Sequence, residues 1–287
     1  MDRFPKVFII VLSYNGGELI KNCLKSLEKV DYPNLHVLVP DNGSTDDSVA
    51  QIKRFFPKVK VIRNEDNRGF AAGNNVGIEY ALKEGADYCL LLNQDTEVEP
   101  DFLKKLIKVA SKDPKIGLLS PLIYWKRTKQ VWFSKGKINW FNMKTYHEKK
   151  EVSGKPFESC FLTGCSLLIK KEVLEEIGFL DDKFFLYWED ADFSVRARRA
   201  GFKAVVVPNS VIYHYEASET MNKNKIYWLV LSGLIFFNKN TPLVLRPWVW
   251  FFVKLRRAKN WLDRKMNKGD LANSVYKAYK DFENVEF

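Results

Sequence analysis

The sequence predicts an α/β fold with a mostly parallel sheet flanked by helices, and three observations support this. Short apolar runs occur at residues 7–12, 35–39, 59–62 and 88–92, with segments of helical apolar spacing between them. Each run ends in a cluster of polar, turn-forming residues. The 287 residues are 46% apolar, which suffices for the core of one large domain with an appendage. This alternation is typical of right-handed crossovers between parallel strands.

The first strand and helix follow from the apolar pattern. Residues 7–12 are continuously apolar, as expected for a central strand that is buried on both faces. A polar turn containing Tyr14 and Asn15 follows, and then apolar residues recur on one face of a predicted helix. They are Ile20, Cys23, Leu24, Leu27 and Val30.

Residues 35–39 and 59–62 predict the second and third strands, with a helix between them. The apolar positions of that helix are Val49, Ile52 and Phe56. We expect Ser44, Thr45 or Asp46 to cap its N-terminus, because their side-chain oxygens can accept hydrogen bonds from the free amides there.

The fourth strand, at residues 88–92, stops at Asn93 and Asp95, and the helix before it ends near Leu82. A buried strand that ends in a carboxylate can deliver the acid to the carboxyl edge of the sheet, where open α/β folds bind ligands. The alternative is that Asp95 only caps the next helix, which is predicted to begin near Pro100.

Four predicted strands end in this way at one edge of the sheet. The side chains that follow them include Tyr14, Asp41, Arg68 and Asp95. Turn formation alone does not require all these types to gather on one side. Their repetition therefore favours a ligand site over an ordinary sheet with polar loops.

The chain then continues the sheet with less regular spacing. Further predicted strands cover residues 116–122, 161–169, 204–207 and 211–215. Residues 123–158 lack periodicity and are predicted to form short antiparallel strands and loops. A helix at residues 171–177 is predicted to end at Gly178. His214 lies among bulky apolar residues, where a structural role is the alternative to metal binding.

Large apolar residues at 184–188 lead into Glu189, Asp190 and Asp192 at the start of a predicted helix. Acids in a first turn interact favourably with the positive end of the helix dipole, which is the ordinary explanation. Apolar walls also exclude water and raise the pKa of a carboxylate, which suits a general base. Both interpretations stay open on the residues alone.

The basic character of the chain belongs to its C-terminal segment. The net charge is +11, and residues 220–268 contain eleven Lys or Arg against Asp263 alone, which is +10. The apolar stretches at residues 226–237 and 242–253 are shorter than the roughly 20 residues that a spanning helix needs. Aromatic residues beside basic ones favour helices at a membrane surface; packing on the core or against a second copy of the chain is the alternative. Without a groove-reading motif, the charge does not indicate nucleic-acid binding.

Cysteine usage and the N-terminus both indicate a cytoplasmic protein. Four cysteines contain no CxxC pair, which predicts buried free thiols rather than disulfides or a zinc site. The apolar run at residues 8–12 is too short for a secretory signal. We therefore expect a cytoplasmic protein that is peripheral on the inner face of the cell membrane.

Five motifs, in order along the chain, resemble family 2 of the inverting glycosyltransferases, which has a Rossmann-like GT-A type fold. They are Ser-Tyr-Asn at 13–15, Asp-Asn-Gly-Ser-Thr-Asp at 41–46, the segment 67–75, Asn-Gln-Asp at 93–95 and Trp-Glu-Asp at 188–190. The chain is most similar to rhamnosyltransferase-like and galactofuranosyltransferase-like members. Because the likeness covers residues 6–216, we expect a catalytic domain at 1–219 and a basic helical extension at 220–287.

The resemblance implies roles for the residues that match the nucleotide-binding motifs. Tyr14 and Asn15 would line the nucleotide-sugar site. Asp41 would accept a hydrogen bond from the N3–H of a pyrimidine base. Asn67 and Gly69 would lie against the ribose and the diphosphate.

The resemblance also implies a metal site and a catalytic base. Asn93 and Asp95 stand where the family has an Asp-x-Asp metal motif, so Asp95 is the only charged ligand from that strand. His214 matches a histidine that completes the metal shell in galactofuranosyltransferase-like members, which implies Mn²⁺ or Mg²⁺ at this place. Asp190 matches the catalytic base, and Glu189 is its neighbour.

We therefore predict an inverting transferase that moves a sugar from dTDP-rhamnose or a UDP-sugar to a hydroxyl of a glycan or lipid-linked acceptor. One alternative is a catalytically silent, membrane-docked subunit that only binds nucleotide sugar, but the presence of both Asp95 and Asp190 argues against it. The other is a sugar-phosphate nucleotidyltransferase, which needs a basic residue just after the first strand. Residues 13–18 contain none.

Overall fold

The computed structural model describes residues 4–215, 222–266 and 269–286. Its strands are β1 (Val7–Leu12), β2 (Leu35–Asp41), β3 (Lys60–Arg63), β4 (Tyr88–Asn93), β5 (Thr96–Val98), β6 (Ile116–Trp125), β7 (Val131–Phe133), β8 (Lys135–Asn139), β9 (Lys144–Glu148), β10 (Phe157–Glu158), β11 (Ser166–Lys170) and β12 (Lys203–His214). Its α-helices are α1 (Gly17–Leu27), α2 (Ser48–Phe55), α3 (Gly69–Lys83), α4 (Phe102–Ala110), α5 (Lys171–Ile177), α6 (Glu189–Arg199), α7 (Lys223–Asn240), α8 (Arg246–Lys265) and α9 (Gly269–Phe282). A 3₁₀ turn, Leu243–Leu245, joins α7 to α8.

The first four βα units form one half of the sheet, as predicted. β1 lies between β2 and β4 and pairs in parallel with both, and β3 extends the sheet in parallel beyond β2. The apolar runs of β1 and β4 are buried because helices cover both faces of a sheet built by βα crossovers. The carboxyl ends of these strands therefore lie at one edge.

The other half of the sheet is mixed: β5, β7 and β10 pair antiparallel at its margins, and the reversed strand β11 lies inside it. β11 pairs antiparallel with both β4 and β6, whereas β12 runs parallel to β6. The strand order is β10-β12-β6-β11-β4-β1-β2-β3, and β8 and β9 form a separate hairpin. This confirms an α/β fold with a mostly parallel sheet flanked by helices and a C-terminal helical region.

The last strand differs from the prediction of two short strands. β12 is continuous, and its register with β6 shifts between Val207 and Val211, so residues 208–210 form an irregularity inside the strand. A short strand that was not predicted, β5, pairs antiparallel with the end of β12 and places Thr96 opposite His214. This pairing brings the residues after β4 to the end of β12.

Two local predictions are wrong. No side chain caps α2, whose N-cap residue is Asp47; Asp46 instead accepts hydrogen bonds from the backbone and side chain of Ser48. Residues 161–165 are not a strand, although they are buried as a strand would be. An apolar run predicts burial more reliably than it predicts backbone geometry.

The C-terminal helices pack on the preceding part of the chain through a second apolar cluster. α7 contributes Phe236 and Phe237, which contact the indole of Trp188 with ring centroids 5.1 and 5.3 Å away. α9 packs against α7 and buries Ala278 and Tyr279 in the same cluster. None of the described helices is both long enough and apolar enough to cross a membrane.

Candidate active site

One cavity of about 410 Å³ collects several of the predicted site residues. They are Asn93, Asp95, Glu189, Asp190 and His214. Asn93 ends β4, Asp95 lies between β4 and β5, the two acids begin α6, and His214 ends β12. Segments far apart in the sequence thus bring acids, an amide and an imidazole to one place.

Asp95 and His214 are in direct contact in this cavity. The distance from Asp95 Oδ1 to His214 Nε2 is 3.2 Å, and the Tyr215 backbone N–H donates to the Asp95 carbonyl oxygen at 2.7 Å. The imidazole packs against Trp125 and Trp132, with ring centroids 5.7 and 4.5 Å away. Its Nδ1 has no hydrogen-bond partner among the described residues. Ring packing and the Asp95 contact therefore orient the imidazole.

The pair fits two ligands of a divalent cation. Ligands about 2.1 Å from an octahedral ion lie roughly 3 Å from each other, close to the separation of Asp95 and His214. Over residues 4–215, 222–266 and 269–286, no three His, Cys, Asp or Glu side chains are grouped to hold a metal. Mg²⁺ commonly takes only one or two protein ligands and the rest from substrate phosphates and water.

Glu189 and Asp190 differ in burial and in hydrogen bonding. The Gly164 N–H donates to Asp190 Oδ2 at 2.9 Å, and the Ala191 N–H donates to Oδ1 at 2.7 Å. Burial raises the pKa of Asp190, and these backbone amides partly oppose that rise. Burial, and then the neighbouring Asp190 charge, raise the pKa of Glu189 well above its usual range. Because Glu189 is only 5% exposed, Asp190 is the acid that a ligand can reach.

A strained turn precedes these acids. Tyr187 and Trp188 have φ angles of 69° and 72°, a left-handed conformation that residues other than glycine rarely adopt. Helix α7 holds the turn from outside: Ser232 Oγ donates to the Leu186 carbonyl at 2.8 Å, and Trp188 Nε1 donates to the Leu229 carbonyl at 3.0 Å. Such strain costs about 1–3 kcal/mol per residue and persists only where surrounding contacts enforce it.

Tyr14 and Asn15 lie after β1, outside the lining of this cavity. Asn15 is left-handed with φ 48°, and its Oδ1 accepts a hydrogen bond from the Thr45 N–H at 2.9 Å, which ties the loops after β1 and β2 together. The Tyr14 side chain is 44% exposed, and its backbone N–H donates to Gln94 Oε1 at 3.1 Å. The Gln94 side chain thus connects this edge to the residues after β4.

Asp41, at the end of β2, is fully buried, and only one of its two carboxylate oxygens accepts a hydrogen bond from a described residue. Its Oδ2 accepts from the Ser44 N–H at 3.2 Å and lies 3.7 Å from Arg63 Nε. Its Oδ1 has no hydrogen-bond donor within the described parts of the chain. A buried carboxylate oxygen without a donor is costly. Because Asp41 is 0% exposed here, its contact with a nucleotide base stays a prediction.

Asn67 and Gly69 form the entry to α3. Asn67 Oδ1 accepts from Asn42 Nδ2 at 2.8 Å and from the Gly69 N–H at 3.0 Å. Gly69 has φ 79°, and a Cβ there would come within 2.4 Å of the Phe185 carbonyl oxygen. Glycine is therefore required where the segment before α6 crosses α3. Neither residue lines the cavity, so their contact with a ribose or diphosphate stays a prediction.

Among the cavity residues to which the sequence analysis assigned no role is the histidine His147. It lies on β9 and lines the cavity together with Thr145, which is two residues away on the same face of the strand. Burial, and then the charge of Lys149, lower the pKa of His147 to about 4, so the ring is neutral at physiological pH. Alternation along residues 144–148 is a signal that could have found it, but the surrounding lysines hide the apolar pattern.

Comparison with known proteins agrees with this arrangement. The sequence model of a family described as glycosyl transferase family 2 matches residues 8–178. The chain is 26% identical over 237 residues to the N-acetylglucosaminyl-diphospho-decaprenol L-rhamnosyltransferase of Mycobacterium tuberculosis, which covers 74% of this chain and 76% of the relative. It is 25% identical over 255 residues to the dTDP-rhamnosyl transferase RfbF of Shigella flexneri, covering 83% and 82%.

Solved structures show the same fold at 18% identity. The mannosyltransferase PcManGT from Pyrobaculum calidifontis, in complex with GDP-Man and Mn²⁺, aligns with a TM-score of 0.62 over 100% of this chain and 77% of its own. GalNAc-T7 with UDP, GalNAc and Mn²⁺ aligns with a TM-score of 0.67 over 83% of this chain, which spans 48% of that structure. The family match ends before Glu189, Asp190 and His214 but covers more than half of the chain, and the chain therefore belongs to glycosyl transferase family 2, the enzymes of glycosyl transfer.

Proposed function

We propose that the protein is an inverting glycosyltransferase that moves a sugar from dTDP-rhamnose or a UDP-sugar to a hydroxyl of a lipid-linked glycan, with a divalent cation. The observation that carries this is the single cavity that holds a reachable carboxylate of raised pKa, Asp190, together with the Asp95–His214 pair. The names of two relatives, which specify a dTDP-rhamnosyl donor and a diphospho-decaprenol acceptor, support these substrate classes.

Asp190 is suited to act as the base. Inversion by a single displacement requires that the acceptor hydroxyl attack from the side opposite the leaving nucleotide, and a carboxylate must take its proton. Asp190 receives two backbone hydrogen bonds that fix its orientation, and a carboxylate has further acceptor sites for the hydroxyl. Glu189, whose pKa is raised further, keeps its proton to a higher pH and is less available as a base.

Asp95 and His214 would hold Mn²⁺ or Mg²⁺, and Asn93 lines the same cavity. When bound, the cation neutralises charge that develops on the departing nucleoside diphosphate. Because Asp95 is the only charged ligand of the pair, we expect cation affinity to depend strongly on the phosphates of the donor.

The loops after β1 and β2 would hold the nucleotide. Asp41 Oδ1, which is buried without a donor among the described residues, would accept the N3–H of a pyrimidine if binding displaces the loops that cover it. Tyr14 and Asn15 would flank the base. Asn67 and Gly69 would lie against the diphosphate at the start of α3, where the positive end of the helix dipole favours anions.

A panel of nucleotide sugars tests this proposal. We expect dTDP-rhamnose or a UDP-sugar to raise the melting temperature, and more so with Mn²⁺, since a ligand at a hundredfold excess over its Kd adds about 2.7 kcal/mol of stability. NMR of the product formed on a diphospholipid-linked N-acetylglucosamine acceptor should show an inverted anomeric centre. Retention of configuration, or no stabilisation by any pyrimidine nucleotide sugar, would contradict the proposal.

We also propose that α8 rests on the inner face of the cytoplasmic membrane. Its outward face shows apolar residues at helical spacing, each at least half exposed. They are Trp250, Phe251, Leu255, Trp261 and Leu262. The basic residues divide by environment: Lys254 lies over the Trp250 ring, whereas Arg257 pairs with Glu283 at 2.5 Å. An apolar stripe beside cations suits an interface with anionic lipids.

A further inference from the structure

A line of adjoining cavities leads away from the active site towards α8. Thr145, Trp188 and Leu229 line both the active-site cavity and a second cavity of about 260 Å³. Arg256 and Lys144 line the second cavity and also a third, of about 890 Å³, between the β8–β9 turn, α8 and α9. We call the second and third cavities together the side groove.

The side groove carries two cations where it approaches the active site, Lys144 and Arg256, whereas Lys259 and Asp263 line only its farther cavity. Its charged lining residues are Lys144, Arg256, Lys259 and Asp263, a net charge of +2. Among the described residues, neither Lys144, Arg256 nor Lys259 forms an ion pair with an acid; the Arg256 guanidinium lies over the Phe252 ring instead, 5.9 Å from its centroid. Unpaired cations beside a catalytic cavity attract an anionic group of a ligand.

The far end of the side groove has a mixed wall, in which Lys259, Asn260 and Asp263 lie beside apolar residues, and it opens onto the exposed face of α8. Val230, Phe252 and Val275 are half-buried in its wall, and Leu255 belongs both to this wall and to the exposed apolar stripe of α8. From the active site outwards, the series of cavities therefore offers Asp190, then the cations Lys144 and Arg256, and then a wall with apolar side chains that leads to α8.

We propose that the side groove binds the diphosphate and the first isoprene units of a polyprenyl-diphosphate-linked acceptor, with Lys144 and Arg256 on the diphosphate. The acceptor sugar would then lie in the active-site cavity, and the rest of the lipid chain would leave along α8. This inference rests on the proposed function, because it names the path by which the acceptor reaches Asp190.

Farnesyl diphosphate is a soluble probe of this site, and its binding can be measured without turnover. The titration calorimetry is done in EDTA, which removes divalent cations, so the diphosphate cannot be held through a cation at Asp95. We expect farnesyl diphosphate to bind more than tenfold more tightly than dimethylallyl diphosphate or inorganic diphosphate. Lys144→Gln and Arg256→Gln should each weaken it by about tenfold, a loss of 1.4 kcal/mol.

Lys254→Gln is the matched control, since Lys254 is also on α8 but does not line the groove. It should leave farnesyl diphosphate binding unchanged, and all three variants should keep the wild-type affinity for nucleotide sugar. Equal affinity for farnesyl and inorganic diphosphate, or an equal loss in Lys254→Gln and Arg256→Gln, would overturn the inference. Because nucleotide-sugar binding is measured separately, that outcome is distinguishable from failure of the proposed glycosyl transfer.

Discussion

At the scale of single residues, burial separates the tasks of Glu189 and Asp190. Two adjacent carboxylates repel each other when both are ionised, and the more buried one retains its proton because a buried charge is costly. Glu189 is that residue, and its Oε2 has no hydrogen-bond partner among the described residues. A neutral Glu189 allows Asp190 to ionise alone.

This division predicts how substitutions of the two acids differ. We expect Asp190→Asn to lower kcat by about 10² to 10⁴, the usual scale for loss of a general base, while nucleotide-sugar binding is retained. Glu189→Gln resembles the protonated acid and should change kcat much less. Transfer rates at saturating donor and acceptor check this, and near-normal turnover in Asp190→Asn would exclude it as the base.

The raised pKa of Asp190 predicts the pH at which activity is lost. A base acts only when ionised, and a raised pKa means that Asp190 takes up its proton at a higher pH than an ordinary Asp, whose pKa is about 3.9. We expect kcat to fall with decreasing pH through a value above that. Melting temperatures over the same range control for unfolding. If kcat instead falls with a midpoint at or below about pH 4, the pKa of the catalytic base is not raised by burial.

The contact of Asp95 with His214 predicts a metal-dependent phenotype. Asp95→Ala and His214→Ala should each weaken binding of UDP or dTDP in Mn²⁺ while changing little in EDTA. Asp41→Asn is the contrasting variant. It should weaken binding of the pyrimidine nucleotide by the same factor with and without Mn²⁺, because Asp41 is expected to contact the nucleobase and not the metal. Calorimetric titrations in Mn²⁺ and in EDTA separate metal-dependent from metal-independent losses of nucleotide affinity. If His214→Ala loses the same affinity in both buffers, His214 has a structural role.

At the scale of elements, α7 supports the turn that presents Asp190. Ser232→Ala removes the hydroxyl that donates to the Leu186 carbonyl, so we expect kcat to fall by about tenfold through displacement of the turn. Ser210→Ala is the matched control: Ser210 is also fully buried and donates to the Phe102 carbonyl at 2.8 Å, remote from the cavity. Both variants should lose about 1–3 kcal/mol of stability. Equal kcat values in the two would show that α7 contributes stability alone.

The parallel strands could be predicted because uninterrupted apolar runs between helical segments have few other solutions. β12 could not be predicted as one continuous strand. Pro208, Asn209 and Ser210 are turn-forming residues, and they predict a break, but in the structure they form an irregularity within the strand. Residues 161–165 failed for the opposite reason: they are apolar and buried but cross beneath the β8–β9 hairpin, where Gly136 approaches the Phe161 carbonyl.

Some residues of the candidate site could likewise be predicted from the sequence, and others could not. Asp95 follows a strand end that the sequence marks, so it could be expected at one edge of the sheet. Asp190 could be assigned to the site only through the family resemblance. Their distance from His214 and the exposure of one acid over its neighbour depend on tertiary packing. His147 comes from the β8–β9 hairpin, whose sequence shows no regular apolar pattern, and only the fold brings it to the cavity.

At the scale of the whole molecule, the exposed apolar stripe of α8 predicts binding to lipid. We expect the wild-type protein to sediment with anionic vesicles at low salt and less at high salt, because screening weakens the contribution of the cations. Phe251→Ser should reduce the bound fraction. Phe55→Ser, which replaces an equally exposed phenylalanine on α2, should not. Wild-type protein that remains in the supernatant at low salt would show that this face has another partner.

The pairing of β5 with β12 has a consequence for how the chain tolerates insertions. Thr96 stands opposite His214, and side chains alternate between the faces of a strand, so a slip of one position would present the Tyr213 side of β12 to Asp95. A single residue gained or lost between residues 211 and 214 would therefore abolish the Asp95–His214 contact while every residue of the site kept its identity. The irregularity at residues 208–210 lies just before this stretch and could absorb such a change. Length variation among relatives is thus expected there and not in the four residues that follow.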